Sequence, residues 1–122
     1  MNLVDSSGWL EYFANGKNSK YFAAPIEDIK NLIVPSICIY EVFKKILLQR
    51  SDNEALQAAG LMHQGKVIML DTTLSLNAAR LSVNFKLPMA DSIIFATAQA
   101  HDAVIWTQDA DFKNLKNVKY IS

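Results

Sequence analysis

Short runs of apolar and β-branched residues alternate along the chain with longer segments in which apolar residues recur at helical spacing. The strand-like runs are residues 1–4, 32–34, 67–70, 104–107 and 118–121. A helical segment or turn lies between each pair of successive runs, and crossovers of this kind join strands that run parallel. The alternation therefore predicts an α/β fold in which helices cover a parallel sheet.

Helices are predicted between those runs from their apolar spacing and from the residues at their ends. The predicted helices are residues 9–14, 21–31, 37–49, 51–63, 72–85 and 92–101. The third is too long for a typical strand and ends in Lys44, Lys45 and Arg50, which suit the negative end of a helix. Gly65 follows the fourth, and Pro88 prevents the fifth from continuing. Functional sites in such folds form at the carboxyl ends of the strands.

Length and composition favour one compact, cytoplasmic domain covering residues 1–122. The length is near the usual size of a single domain, and 51% hydrophobic with 20% charged residues is typical of a packed protein. The single cysteine, Cys38, excludes an intrachain disulfide and a thiolate-rich zinc site. No basic leader precedes a long apolar stretch, and no apolar segment reaches the roughly 20 residues that span a bilayer. We expect neither export nor membrane insertion.

Four acidic residues stand at positions where chemistry is possible, although each has an ordinary structural explanation. Asp5 can cap a helix beginning at Ser7, and Asp91 can cap its own helix in the same way. Asp109 can belong to a polar turn. Glu41 interrupts an apolar helical run, where a lone charge is costly to bury, although it can pair with Lys45 one turn later.

Each of these four acids belongs to a short motif, and the four motifs follow one another in order along the chain. They are Leu3-Val4-Asp5-Ser6-Ser7 followed by Trp9 and Tyr12, then Val34-Pro35-Ser36 leading to Tyr40-Glu41-Val42, then Leu87-Pro88-Met89-Ala90-Asp91-Ser92 with Ile93 and Ile94, and finally Trp106-Thr107-Gln108-Asp109-Ala110-Asp111-Phe112. With these motifs the sequence resembles the PIN-domain family, and within it the toxins of VapBC toxin–antitoxin systems, over essentially its full length.

The resemblance implies a single PIN domain, a three-layer α/β/α sandwich with a central parallel sheet. It also implies a metal-dependent endoribonuclease that acts as the toxin of a type II pair, forms a homodimer and is neutralised by a cognate VapB-like antitoxin. The residues that match the family's site are the catalytic, metal-binding acids Asp5, Glu41, Asp91 and Asp109 and the supporting residues Ser6, Thr107 and Asp111.

A cluster of carboxylates predicts a hard, oxygen-seeking cation, because the acids would otherwise repel one another and retain protons. Mg²⁺ is expected, with Mn²⁺ as a substitute, to assist water in attacking a phosphodiester and leave a 5′ phosphate and a 3′ hydroxyl. His63 and His101 lack metal-ligand spacing, which disfavours zinc and iron. Thr107 can orient a carboxylate from the strand end, or can simply be a β-branched strand residue.

The overall charge is compatible with an RNA substrate once the site is neutralised. The chain has 12 basic and 12 acidic residues, so removing four acids leaves a surplus of four positive charges. The basic residues then free to meet phosphates are Lys44, Lys45, Arg50, Arg80, Lys86 and Lys113.

Aromatic residues are concentrated near the N-terminus, where seven of the twelve fall within the first 43 residues. Core packing explains most of them, and we hypothesise that several line a groove for an antitoxin helix or strand.

Two other functional classes remain open from sequence. One is a receiver-like phosphoacceptor domain, in which Asp71 after the third strand would accept the phosphoryl group. Such a domain would need a pair of acids after the first strand, where only Asp5 is present, and it leaves Asp109 without a role. The other is a PIN-like scaffold that binds without cutting. Within the nuclease interpretation, housekeeping RNA processing is the alternative to a toxin.

Overall fold

Five strands and six α-helices alternate along the chain in a computed structural model that describes residues 1–122. The strands are β1 (Asn2–Val4), β2 (Leu32–Pro35), β3 (Lys66–Ile68), β4 (Val104–Thr107) and β5 (Val118–Tyr120). The helices are α1 (Ser6–Phe13), α2 (Ser19–Glu27), α3 (Ser36–Gln49), α4 (Asp52–Met62), α5 (Thr72–Phe85) and α6 (Met89–Ala100). Short 3₁₀ segments occur at Ile29–Asn31 and Ala110–Phe112.

The sheet has the order β3-β2-β1-β4-β5, and all of its strands are parallel. The first strand is therefore central, with β2 on one side and β4 on the other. Leu3 pairs with Ile33 of β2 and with Ile105 of β4. The six helices flank this sheet, which confirms the predicted α/β/α sandwich with a central parallel sheet.

The hydrophobic core lies between the sheet and its flanking helices, in a cluster of 21 buried residues. Strand residues such as Leu3, Val4 and Ile105 pack in it together with Trp9 of α1 and Phe22 of α2. Successive strand residues are buried on both faces, as expected for a parallel sheet covered by helices. No helix combines the length and the apolar character needed to cross a membrane.

Helix α2 and its surroundings differ from the predicted helix at residues 21–31. The α-helix begins at Ser19 and ends at Glu27, two residues after Pro25, which cannot donate a backbone hydrogen bond. Asp28 then adopts φ −88° and ψ 68°, outside the helical region, and its carboxylate accepts hydrogen bonds of 3.1 and 3.2 Å from the Asn31 side chain. This local bonding competes with helix continuation, so residues 29–31 form a separate 3₁₀ turn.

Three other boundaries differ by two residues or more. Strand β3 ends at Ile68 and not at residue 70, and Met69 beyond it is 71% exposed, since an edge strand gives such a side chain nothing to pack against. Helix α1 begins at Ser6, earlier than predicted, because Asp5 caps it. Helix α6 begins at Met89 and not at residue 92, with Pro88 in the N-cap position.

Candidate active site

Strands β1 and β4 bring acidic residues from opposite ends of the sequence to one edge of the sheet. Asp5 directly follows β1, and Asp109 follows β4 by two residues. Because the two strands are parallel neighbours, their carboxyl ends meet. The backbone N–H of Asp5 extends this pairing by donating to the Trp106 carbonyl at 3.2 Å. The loop after β4 therefore lies beside the start of α1.

Asp5 is buried, with only 2% of its surface exposed, and both of its carboxylate oxygens are occupied. Oδ1 accepts hydrogen bonds from the Gly8 backbone N–H at 2.9 Å and from the Ser7 hydroxyl at 2.7 Å. Oδ2 accepts one from the Thr107 hydroxyl at 2.6 Å. Asp5 therefore caps helix α1, as its ordinary explanation predicts, and at the same time faces the loop that carries Asp109.

Thr107 and Ser7 connect that loop to helix α1. The Thr107 hydroxyl oxygen accepts a hydrogen bond of 2.8 Å from the backbone N–H of Asp109. The Ser7 hydroxyl oxygen accepts one of 3.3 Å from the backbone N–H of Gln108. Thr107 is fully buried, and its hydroxyl bonds both the Asp5 carboxylate and the Asp109 backbone. Thr107 therefore has a polar role in addition to its place in strand β4. The predicted site did not include Ser7. The sequence signals for its role are its polarity and its position next to Ser6 in the motif.

Three further carboxylates gather at the same edge. One oxygen from each of Asp91, Asp109 and Asp111 lies within 4.8 Å of the others. Asp91 occupies the first turn of α6, and Pro88, not Asp91, occupies the N-cap position, so the capping explanation for Asp91 is wrong. Asp109 caps the 3₁₀ turn by accepting a hydrogen bond of 2.9 Å from the backbone N–H of Asp111. Asp111, predicted as a supporting residue, thus lies within the cluster itself.

The pKa values of two of these carboxyl groups are raised toward neutrality. Burial raises the pKa of Asp5 to about 6, with a smaller contribution from the charge of Asp109, although hydrogen bonds from Thr107, Ser7 and Gly8 oppose the change. Burial also raises the pKa of Asp91 to about 7. The charge of Asp109 is the next largest cause of this increase, and a hydrogen bond with Asp111 and the charge of Asp111 raise the pKa further. Without a compensating cation, these groups retain protons close to neutral pH.

Glu41 is bound to the start of α1 through Ser6, the residue after Asp5, and is not one of the three clustered carboxylates. The Ser6 hydroxyl donates a hydrogen bond of 2.6 Å to Oε1 of Glu41, which is half-buried. The predicted alternative, an ion pair with Lys45, does not form, because the structure contains a single salt bridge and it joins other residues.

Cys38 is buried in helix α3, one turn before Glu41. Burial raises the pKa of its thiol, a hydrogen bond with Ser6 opposes this, and the charges of Asp5, Glu41 and Asp91 raise it further.

The donor set fits a hard divalent cation. Every potential ligand is a carboxylate or hydroxyl oxygen, the type that Mg²⁺ and Mn²⁺ prefer, and no lysine or arginine is paired with any of the acids. His63 and His101 end helices α4 and α6 and take no part in the cluster, as predicted.

A groove of about 530 Å³ between α1, α3 and α4 adjoins the acidic edge at Ser7 and Gln108. Phe13 is the only one of the seven N-terminal aromatic residues that lines it. Trp9 and Phe22 are fully buried, and Tyr40 is 59% exposed outside the groove. Core packing therefore accounts for most of these side chains. The other residues that line the groove are Leu10, Glu11, Ala14, Lys45, Ile46, Gln49, Arg50, Glu54, Gln57 and Ala58.

The receiver-like interpretation does not agree with the topology. A receiver has the strand order 2-1-3-4-5, in which the third strand is central, whereas β3 is an edge strand here. Asp71 lies away from the acidic cluster and caps α5 by accepting a hydrogen bond of 2.8 Å from the Leu74 backbone N–H. That capping bond explains its position after β3.

Solved structures with the same architecture include several toxin–antitoxin proteins. A toxin–antitoxin complex from Klebsiella pneumoniae matches with a TM-score of 0.81 and 21% identity, covering 99% of this chain and 100% of that one. VapC20 of Mycobacterium tuberculosis, described as a sarcin–ricin loop cleaving toxin, matches with a TM-score of 0.82 and 15% identity over 97% of both chains. VapBC2 of Rickettsia felis, bound to a DNA fragment from its promoter, matches with a TM-score of 0.75 and 11% identity over 98% and 96%.

These similarities establish the fold, and the sequence itself establishes the family. No curated protein is significantly similar to the chain in sequence. The PIN domain family model, however, matches residues 3–118, a range that contains all the acids at the sheet edge. The predicted resemblance is confirmed, and the chain belongs to the PIN-domain family.

Proposed function

We propose that this PIN domain is an endoribonuclease that depends on Mg²⁺, with Mn²⁺ as a substitute. Its acidic residues would be Asp5, Glu41, Asp91 and Asp109, with Asp111 beside them. The observation that carries the proposal is the convergence of the Asp91, Asp109 and Asp111 oxygens within 4.8 Å, without any basic side chain to neutralise them. Such an arrangement is stable in its charged form only when a cation is present.

Each residue has a definable part in this proposal. Asp91, Asp109 and Asp111 would hold the cation, which when bound would neutralise the carboxylates and polarise a phosphodiester oxygen of the substrate. Asp5 shapes the site through Thr107, whose hydroxyl bonds both its carboxylate and the Asp109 backbone. Thr107 and Ser7 therefore keep the loop after β4 in place, a supporting role of the kind that commonly tunes metal sites.

Glu41 is the best candidate to orient or deprotonate the attacking water. Ser6 occupies its Oε1, and its Oε2 has no hydrogen-bond partner in the protein. A half-buried carboxylate with one fixed and one available oxygen is suited to accept a proton. Attack by water in line with the departing 3′ oxygen would leave a 5′ phosphate and a 3′ hydroxyl.

The biological role that we propose is that of a toxin in a type II toxin–antitoxin pair. Its support is the fold shared with toxin–antitoxin complexes from Klebsiella pneumoniae and Rickettsia felis and with VapC20, described as a toxin that cleaves the sarcin–ricin loop. We further propose a cytoplasmic homodimer that a VapB-like antitoxin neutralises. The groove that adjoins Ser7 and Gln108 would place part of that antitoxin beside the acids.

The nuclease proposal is tested by incubating the purified protein with total RNA in Mg²⁺, in Mn²⁺ and in chelator. Cleavage is expected with either cation and is expected to be lost in chelator. Asp91→Asn and Asp109→Asn should abolish it, whereas Asp71→Asn, which changes an aspartate outside the cluster, should retain it. Cleavage that survives chelation or either cluster substitution would contradict the mechanism.

The toxin proposal is tested separately by expression in a bacterial host. Induction of the wild-type chain should arrest growth, Asp109→Asn should not, and co-expression of the neighbouring short reading frame should restore growth and yield a co-purifying complex. A nuclease that is active in vitro but neither arrests growth nor binds that product would instead serve in RNA processing.

A further inference from the structure

Asn18 stands at the start of helix α2, but its side chain does not cap that helix. Asparagine is among the preferred N-cap residues because its side-chain oxygen can accept a hydrogen bond from the first turn of a helix. Asn18 occupies the N-cap position of α2 without making such a bond. Its Nδ2 instead donates a hydrogen bond of 3.0 Å to Oε1 of Gln108, which is 90 residues away in the sequence. The side chain therefore makes a long-range contact in place of a local one.

The loop between α1 and α2 is built around Glu11, which holds Asn18 in this position. Oε2 of Glu11 accepts a hydrogen bond of 2.9 Å from the backbone N–H of Asn18. The same carboxylate lies against Gly16, where an added Cβ would overlap it. A larger residue at position 16 would therefore displace the carboxylate. Glu11 thus fixes the backbone of Asn18 and leaves its side chain free to reach Gln108.

Aromatic packing sets the distance between α2 and β4 that this bond requires. The centroid of the Tyr21 ring lies 5.1 Å from that of the Trp106 ring. Asn18 comes three residues before Tyr21, a spacing that places neighbouring side chains on one face of a helix. Gln108 comes two residues after Trp106, a spacing that places side chains on one side of a strand. The polar pair and the aromatic pair are therefore neighbouring contacts between the start of α2 and the end of β4.

Gln108 joins strand β4 to the loop that carries two of the three clustered carboxylates, those of Asp109 and Asp111. Its backbone N–H donates to the Ser7 hydroxyl at 3.3 Å, which is longer than the usual range of about 2.7–3.2 Å for such a bond. The bond from Asn18 to its side chain is shorter, at 3.0 Å, and is partly shielded from water. Asn18 is therefore the stronger restraint on the residue that precedes Asp109.

We propose that Asn18 is a positioning residue of the acidic site, which acts through Gln108 to hold the loop that carries two of the clustered carboxylates. This proposal rests on the cation-dependent nuclease function proposed above. Asn18 itself makes no hydrogen bond to the clustered acids. It restricts the loop after β4 before a cation arrives, so that less conformational freedom is lost when the cation binds.

Asn18→Ser separates this positioning role from a role in capping α2. Serine caps helices about as well as asparagine does, but its side chain is too short to replace the bond to Gln108. Thermal unfolding in chelator should therefore change little. The affinity of the full chain for Mn²⁺, measured by calorimetric titration, should fall about 3- to 10-fold, the factor that corresponds to one net hydrogen bond of ordinary strength.

Gln108→Ala removes the same bond from its other side and should lower the Mn²⁺ affinity by a similar factor. The double variant Asn18→Ser/Gln108→Ala should bind no more weakly than either single variant, because two residues that act through one bond do not have additive effects. The matched control is Tyr12→Phe, which removes a hydrogen bond of 3.2 Å from α1 to Glu27 of α2 without involving the loop after β4. The control should keep the wild-type affinity.

A second measurement needs no cation. Amide hydrogen exchange of the full chain in chelator reports local opening of the loop. Asn18→Ser should accelerate exchange at Asp111 and Phe112, whose backbone N–H groups donate to Oδ1 and to the carbonyl oxygen of Asp109. Exchange in strand β4 should stay unchanged, and Tyr12→Phe should leave both regions as they are in the wild type.

Four results would overturn the proposal. They are wild-type protein that binds no Mn²⁺, wild-type affinity in Asn18→Ser and Gln108→Ala, losses that add in the double variant, and a loss of affinity matched by an equal loss of stability in chelator. The last result would show a role in folding alone. Failure of the nuclease function itself would appear differently, as intact RNA in Mg²⁺ and Mn²⁺ while the effects of Asn18→Ser on Mn²⁺ binding and hydrogen exchange persist.

Discussion

Thr107 donates a hydrogen bond of 2.6 Å to Oδ2 of Asp5, although 102 residues separate them in the sequence. The same hydroxyl oxygen accepts a hydrogen bond of 2.8 Å from the Asp109 backbone N–H. One buried hydroxyl thus fixes the carboxylate of one acid and the backbone of another. The relative positions of Asp5 and Asp109 therefore depend on a side chain that has no charge.

Thr107→Val is expected to weaken both stability and cation binding. The buried Asp5 carboxyl would lose one of its three hydrogen bonds, at a cost of about 1.5–3 kcal/mol, and the affinity for Mn²⁺ should fall about 10-fold or more. Thermal unfolding and calorimetric titration with Mn²⁺ measure the two effects. Thr107→Ser keeps the hydroxyl and should keep most of the affinity. Equal affinities of Thr107→Val and the wild type would show that the hydroxyl does not organise the site.

The stability of the metal-free protein should fall as the pH rises from about 4 to about 7. The folded pKa values of Asp5 and Asp91 are raised to about 6 and about 7, whereas an unfolded aspartate titrates near about 3.9. In this window the folded state binds more protons than the unfolded state, so the free energy of unfolding decreases with pH. For buried Asp5 the loss is about 3 kcal/mol, at about 1.4 kcal/mol per pH unit.

Divalent cations should reverse this loss, because they bind the ionised carboxylates of the folded protein. Denaturant unfolding between pH 4 and pH 8, with chelator and with Mg²⁺, measures the effect. The two curves should coincide near pH 4 and diverge above pH 6. A metal-free protein that becomes more stable over this range would contradict the raised pKa values.

Asp109→Asn should stabilise the metal-free protein at neutral pH while removing cation binding. The charge of Asp109 contributes to the raised pKa values of both Asp5 and Asp91, so its removal should lower both values and flatten the dependence of stability on pH. The matched control is Asp71→Asn, which affects only the cap of α5 and should cost at most about 1 kcal/mol. That control should retain the cation affinity and the pH dependence of the wild type.

Gly8→Ala should destabilise the protein and disturb the Asp5 cap. An added Cβ would lie 2.6 Å from Cγ1 of Val4 and 2.7 Å from Cδ1 of Phe22, and overpacking of this kind costs about 1–3 kcal/mol. Gly60, in helix α4, has no atom within 4 Å of an added Cβ, so Gly60→Ala should instead stabilise by about 0.5–1 kcal/mol. Thermal unfolding compares them directly, and opposite signs are expected. A neutral Gly8→Ala would mean that Phe22 can move aside.

The fold class could be predicted from local signals, whereas the four acids were predicted from their motifs taken together, since each acid taken singly has an ordinary structural explanation. Alternating apolar periodicities indicate strands and helices, and an acid inside the apolar run around Glu41 stands out for its cost of burial. The strand order was not accessible, since pairing of β1 with β4 depends on contacts more than one hundred residues apart. The break at Asp28 was missed because a hydrogen bond to Asn31 overrides the helical spacing.

The roles of the supporting residues were the least predictable part of the site. Asp111 was predicted as a supporting residue near Asp109, and only the 3₁₀ turn at Ala110–Phe112 brings its carboxylate into the cluster. Ser7 bonds both Asp5 and the Gln108 backbone, yet nothing in the sequence separates it from Ser6. Such roles depend on side-chain directions at chain turns, which periodicity does not encode.

The central position of β1 determines when the acidic site can exist during translation. The residues of β1 are synthesised before those of its neighbour β4, which begins at residue 104, so the middle of the sheet stays incomplete until β4 has been made. A nascent chain displays Asp5 for this whole period without Thr107, Asp109 or Asp111. Chain topology therefore delays assembly of the acidic site until translation has passed Asp111.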